Sequence, residues 1–274
     1  MGDAREKLRE EMDRERKKSK KVDRIVMTST IMLAVLLIVG VVAAVAHFHK
    51  GDVHATENLT PKFITVDGAY HLTPDGSVDT KWVKEDPLNN KKRVEIFMDP
   101  QCPGCRAVDV GLDTKIREWN KAGKIDLSIN VVSFLDDSST DQYSSRAANA
   151  LITVAENEPK KFQDFMAELF RNQPKEGIEY RPISDEDLGD WAKNVGVSDK
   201  TTSLFKDHLY QDWVLKHTDI ETRRSDFFPK KFATPAVFVG GHMDDKGFVT
   251  GAQEVVFHGP DSIVADFARS AELS

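Results

Sequence analysis

Two cysteines three residues apart, Cys102 and Cys105, are the whole thiol complement of this 274-residue chain. They lie where a strand pattern passes into a helical one, and that placement constrains the fold more than any other feature. Before them, Val94, Ile96 and Met98 alternate with Arg93 and Glu95, which predicts a strand over Lys92 to Met98. After them, Val108, Leu112, Ile116 and Trp119 recur at helical spacing up to a stop near Gly123. A strand leading directly into a helix opens a β–α unit, so the chain reads as α/β. One cysteine pair excludes a disulfide-stapled scaffold, and it excludes a four-thiolate zinc site built from one chain.

The thiolate is the working nucleophile in disulfide exchange. At a helix start the first thiol, Cys102, sits among unpaired backbone N–H groups that favour its charged form. Cys105 lies one turn on, near enough to close a disulfide. Pro103 suits an early helical position, where its missing N–H costs little, and Gly104 relaxes the backbone between the sulfurs. Cys102 is therefore expected to be the exposed attacking thiol and Cys105 the more buried resolving one. A purely structural disulfide here would close too short a loop to constrain much of the chain. An inert pair and a metal-binding pair are the other readings.

Before the cysteines, Phe63–Val66 and His71–Leu72 suggest a short hairpin around Asp67-Gly68, and after them 125–134 suggests a further β-branched strand. A helical block runs from about 140 to 226. One amphipathic helix carries Ala147 to Ile152, and a second carries Phe162 to Phe170. A third follows the capping box of Ser184 and Asp187, and a fourth is expected over Thr202–Lys216. Strands return at Ala236–Val239 and Gly247–Thr250 across a turn at Gly240-Gly241, and Pro260-Asp261 starts a last helix.

The N-terminal region is of another kind. Ile25 to Ala46 is uncharged and almost wholly apolar, long enough for a helix to span a bilayer. Residues 1–24 carry ten Lys/Arg against seven Asp/Glu, a net of +3, leaving −10 for the rest. The basic cluster from Arg16 to Arg24 predicts that this end stays in the cytoplasm. The expected organisation is a charged cytoplasmic segment 1–24, a signal-anchor helix 25–46, a linker 47–61 and one folded domain 62–274. A cleavable signal peptide is the competing reading, since Ala44-Val45-Ala46 fits a small-x-small site, but the apolar run exceeds the usual signal core. The overall charge of −7 speaks against nucleic-acid binding. The eight histidines show no ligand spacing, so no metal or other cofactor is expected.

Two segments together carry a family likeness. Glu95-Ile96-Phe97-Met98-Asp99-Pro100-Gln101-Cys102-Pro103-Gly104-Cys105 and, far downstream, Ala233-Thr234-Pro235-Ala236-Val237-Phe238-Val239-Gly240-Gly241 flank the helical block. In this order the chain resembles the DsbA-like bacterial thiol–disulfide oxidoreductases of the thioredoxin superfamily, over roughly 62–270. The resemblance implies a thioredoxin fold with a helical insertion. It also implies a cis Pro235 facing the cysteines, with Thr234 offering its backbone to an incoming peptide as an extra strand. Pro103 and Gly104 would tune the pair, and the His often found between the cysteines is absent. Such relatives often carry a buried acid on the preceding strand. Glu95 is the candidate, but its face depends on strand register, so it stays outside the expected catalytic set. Arg106 adds local positive potential or is simply a solvated helix charge.

The function so implied is an extracytoplasmic oxidase that gives its disulfide to exported proteins with cysteines. Its expected partner for reoxidation is a quinone-linked membrane protein of the DsbB or vitamin-K-epoxide-reductase type. A membrane-anchored reductase and a non-catalytic peptide-binding module are the alternatives.

Overall fold

The computed structural model describes residues 59–81, 92–175, 181–224, 226, 228, 231–243 and 249–273. The segments expected at 1–24 and 25–46, and most of the linker, lie outside them. Among the described residues no helix is long and apolar enough to cross a membrane.

Five strands form one mixed sheet: β1 (Tyr70–Leu72), β2 (Lys92–Met98), β3 (Ile125–Val131), β4 (Ala236–Met243) and β5 (Val249–Glu254), in the order β1-β3-β2-β4-β5. β2 and β3 are parallel and joined by helix α1 (Pro103–Lys121), whereas the β1–β3, β2–β4 and β4–β5 pairs are antiparallel. Helices α2 (Tyr143–Asn157), α3 (Phe162–Arg171), α4 (Asp185–Asn194), α5 (Asp199–Thr202) and α6 (Gln211–Glu221) come between β3 and β4. Helix α7 (Ile263–Ser270) ends the order.

The period-2 pattern of β2 and β3 splits the sheet into two chemically different faces. Val94, Ile96 and Met98 join Leu127, Ile129 and Val131 in the main core, with Val108, Leu112 and Ile116 of α1. Trp119 at the far end of α1 stacks on Phe267 of α7, ring centres 5.3 Å apart. The opposite face is also buried, which the alternation of polar residues did not predict. Arg93 and Glu95 lie there under a cover of polar side chains. Arg93 Nη2 reaches Asp67 Oδ2 at 2.8 Å and Glu95 Oε2 at 2.9 Å. Asn130 accepts or donates on both sides: its Nδ2 donates to Glu95 Oε1 at 3.4 Å, and its Oδ1 meets His217 Nε2 at 2.6 Å. Charges survive such burial only when paired and hydrogen-bonded.

Four local expectations are corrected. The hairpin around Asp67-Gly68 is a turn, closed by Thr65 N–H to the Ala69 carbonyl at 2.8 Å. Only Tyr70–Leu72 is a strand, and it pairs with β3 instead, because a free sheet edge stabilises a short strand better than an isolated hairpin does. Gly68, at φ +84°, makes that turn, and a Cβ there would sit 2.3 Å from His217 Cε1.

The helix expected over Thr202–Lys216 is broken by a 3-10 turn at Phe205–Asp207 and a left-handed His208 at φ 48°. Phe205 is drawn into the core against Phe165, and buried Asn149 takes up the freed backbone groups. Its Nδ2 donates to the Phe205 carbonyl at 3.2 Å, and its Oδ1 accepts from Tyr210 N–H at 2.9 Å. Gly240 and Gly241 are not a turn. They lie inside β4 at φ +76° and +83°, and a Cβ on Gly241 would approach Val249 Cγ1 to 2.8 Å across the strand pair. β3 stops at Val131, short of Phe134.

Candidate active site

The cysteine pair sits where β2 ends and α1 begins, at the C-terminal edge of the central strand. Cys102 is the N-cap of α1, in extended conformation, and Pro103 fills the first helical turn. The Cys102 sulfur takes the place that a Ser or Asp oxygen commonly holds at such a cap, accepting the Cys105 N–H at 3.4 Å. Hydrogen bonding from the Cys105 thiol, then from the Thr234 side chain and from the N–H groups of Cys105 and Gly104, pulls the Cys102 thiol down to about 6 against the opposing effect of burial. Burial pushes Cys105 the other way, well above the ordinary thiol value, with the charge of Cys102 adding to it. The two sulfurs are thus poised differently although they are three residues apart.

Cys102 was expected to be exposed, and it is not. It is 5% accessible, against 0% for Cys105. The cover comes from the segment before β4. The Thr234–Pro235 peptide bond is cis, and Cys102 Sγ donates to the Thr234 carbonyl at 3.2 Å, across 132 residues of sequence. Thr234, Pro235, Pro103 and Gly104 are therefore all gathered at the sulfur. Gly104 has a role beyond chain freedom: a Cβ there would lie 2.7 Å from Pro235 Cδ. Only glycine lets the two motifs approach so closely.

Glu95 and Arg106 are placed elsewhere. Glu95 is fully buried, but its carboxylate is engaged by Arg93 and Asn130 in the polar layer. Arg106 is exposed on α1, as a solvated helix charge would be, and its Nε donates to the Phe170 carbonyl at the end of α3, at 3.0 Å.

Sequence reasoning missed two residues that grip the turn, and a third whose side-chain amide is buried within it. Gln173, just past α3, donates its Nε2 to the carbonyls of Pro100 (2.8 Å) and Cys102 (3.0 Å). Asp99, 0% exposed, accepts Gln101 N–H at 2.8 Å, Leu135 N–H at 2.8 Å and the Ser144 hydroxyl at 2.7 Å. The side-chain amide oxygen of Gln101, beside Cys102, is buried with no hydrogen-bond partner. Asp99 stands inside the recognisable motif, but no local signal says that Ser144 of α2 will meet it. Among the described residues no cluster of His, Cys, Asp and Glu is arranged to hold a metal.

Such an arrangement can run thiol–disulfide exchange: a stabilised thiolate, a protonated partner one turn away, and a backbone edge beside them. Comparison with known proteins agrees. A sequence model of the thioredoxin family matches residues 88–247. No curated protein matches. Among solved structures, the chain is similar to oxidised DsbA of Mycobacterium tuberculosis (25% identity, 74% of this chain and 92% of that one, TM-score 0.54). It is similar also to the reduced disulfide bond oxidoreductase DsbG of the same organism (25%, 74% and 86%, TM-score 0.53). The thiol–disulfide oxidoreductase MdbA of Corynebacterium diphtheriae shares the fold (19%, 78% and 98%, TM-score 0.53). The chain belongs to the thioredoxin family, among its DsbA-like thiol–disulfide oxidoreductases.

Proposed function

We propose that this oxidoreductase works outside the cytoplasm as an oxidase, tethered by Ile25–Ala46, and that Cys102 and Cys105 are its redox pair. The observation that carries the reading is the asymmetry of the pair, a Cys102 thiol held near 6 beside a Cys105 thiol raised far above its usual value. Oxidising power grows as the reduced, thiolate form becomes more stable than the disulfide. A substrate thiolate attacks Cys102 Sγ of the disulfide, and the Cys102–Cys105 bond breaks. Cys105 leaves with the electron pair and takes up a proton. The second substrate thiolate then attacks the substrate sulfur of the mixed disulfide and expels Cys102 as a thiolate. The substrate loses two electrons and the protein gains them. Exported proteins with paired cysteines are the substrates, docked along the Thr234 backbone, and a quinone-linked membrane protein of the DsbB or vitamin-K-epoxide-reductase type restores the disulfide. The basic residues before Ile25 support the outward orientation of the domain.

Spheroplasts treated with a membrane-impermeant maleimide test location and direction together. The expected result is labelling of the pair only after an added reductant. Labelling without reductant would favour a reductase, as would a measured potential near thioredoxin's, about −270 mV. Labelling that requires opened membranes would overturn the orientation.

A further inference from the structure

The buried acid that answers to the cysteine pair is Asp99, not the acid on the preceding strand. Glu95 spends its oxygens on Arg93 and Asn130. Asp99 is bonded to the cysteine turn at several points. Its backbone N–H donates to Cys105 Sγ at 3.4 Å, and its carbonyl accepts Cys102 N–H at 3.0 Å. Its carboxylate spans from the turn, through Gln101 N–H, to the helical insertion, through Ser144 and Leu135. Three donors allow it to hold a negative charge in a site without solvent, beside two sulfurs that also become negative in the working cycle.

We propose that Asp99 is a positioning residue of this site, whose buried carboxylate acts through the Cys102 and Cys105 sulfurs as a brake on the oxidising power of the pair.

The physical reason is like-charge repulsion at low dielectric. Burial pushes Asp99 up to about 6, and the Cys102 charge acts in the same direction against three stabilising hydrogen bonds. Coulomb repulsion is mutual, so an ionised Asp99 disfavours the Cys102 thiolate in turn, and it also helps to raise Cys105. Asp99 and Cys102 both lie near 6, so each loses its proton in the field of the other, which broadens the titration. The hydrogen-bond partners of the Asp99 carboxylate are uncharged: Ser144 from α2, and the N–H groups of Leu135 and Gln101. The nearby Asp136 carboxylate is turned to Ser145 N–H at 2.7 Å, and the Arg106 head is held at Phe170. An ionised Asp99 therefore makes the Cys102 thiolate less stable than the helix start alone would, and weakens the pair as an oxidant.

The inference rests on the redox reading of the pair, and the experiment separates the two. The full chain in detergent carries Asp99→Asn, and separately Ser144→Ala, which removes a donor that favours the charged carboxylate. Two quantities are read: the pH profile of Cys102 alkylation, and the equilibrium with glutathione. Asp99→Asn is expected to turn a broad two-step profile into a single step at lower pH. It should also move the equilibrium toward the dithiol by about three- to tenfold, equivalent to half to one unit in the Cys102 titration. Ser144→Ala is expected to shift both in the same direction at pH 6.5, by less, and it decides alone where Asp99→Asn does not fold. Unchanged profiles and equilibria in folded variants, or shifts of opposite sign, would overturn the proposal; a purely structural capping role predicts the former. Wild-type protein that never equilibrates with glutathione would sink the redox reading, while the alkylation profile would still decide the role of Asp99.

Discussion

At the residue scale the site depends on one close approach. Gly104 lies so near Pro235 that a methyl group would sit 2.7 Å from its Cδ. Alanine is the better helix former by about 1 kcal/mol, so local propensity favours Gly104→Ala. Packing opposes it, because the neighbour is a proline ring fixed to the backbone rather than the end of a flexible chain. Overpacking of this kind costs about 1–3 kcal/mol. Gly104→Ala is therefore expected to lower the unfolding midpoint in spite of propensity, and to slow exchange with glutathione about tenfold by displacing Thr234 from Cys102. A midpoint that rises, with exchange unchanged, would mean that the contact relaxes freely. The motif itself was legible from the sequence. The reason for glycine was not, because Pro235 is more than a hundred residues downstream and only the fold brings it there.

At the element scale, two features of the helical insertion contrast. The capping box of Ser184 and Asp187 was read from sequence, and it is present with both hydrogen bonds made. Capping is local, so four neighbouring residues suffice to specify it. The break between α5 and α6 was not foreseen. It depends on Asn149 of α2, fully buried and bonded to Phe205 and Tyr210 more than fifty residues away. Asn149→Ala would strand the Tyr210 N–H, at about 1–3 kcal/mol for such a group, and would remove one of the two donors to the Phe205 carbonyl, which keeps the His208 N–H, at about 1 kcal/mol more. The expected loss in urea unfolding is about 2–4 kcal/mol, well above the ~1 kcal/mol of a lost exposed cap such as Ser184→Ala. Equal effects of the two substitutions would contradict this account of the break.

At the scale of the whole molecule, buried acids on both sides of the sheet make stability depend on pH: Glu95 and Glu221 in the polar layer, and Asp109 of α1 beside the main core. Burial pushes Glu221 up to about 8 and Asp109 up to about 7, and it raises Glu95 as well. The folded chain thus binds protons that the unfolded chain releases near 4, so stability from these groups is full at low pH and is lost as pH rises through 7 and 8. His217 has the opposite sign. Burial holds it down to about 4, so its contribution is full above about 6.5 and is lost as pH falls toward 4. The Cys102 thiolate would add stability above pH 6, which the disulfide form removes from the experiment. In the oxidised protein, urea midpoints are expected to decline between pH 6.5 and 8.5, on the order of 1 kcal/mol per unit for each group titrating. A flat or rising profile there would show that these carboxylates are ionised in the folded state throughout.

What the sequence determined by itself is whatever short-range physics controls: the strand before Cys102, the amphipathic helix after it, the capped start of α4, and the redox chemistry that a cysteine pair at a helix start permits. The partner motif at Thr234 and Pro235 was named by the family resemblance rather than by short-range physics. What only the tertiary structure decided is what those residues meet. Glu95 and Arg93 turned inward because a second polar layer covers the sheet. Cys102 became covered because the Thr234 carbonyl reached its sulfur. Asp99 and Gln173 became part of the site because α2 and the end of α3 pack against the cysteine turn. Periodicity fixes which way a side chain points along its own element. Burial, partner and charge state depend on groups distant in the chain, and those exist as neighbours only once the chain has folded.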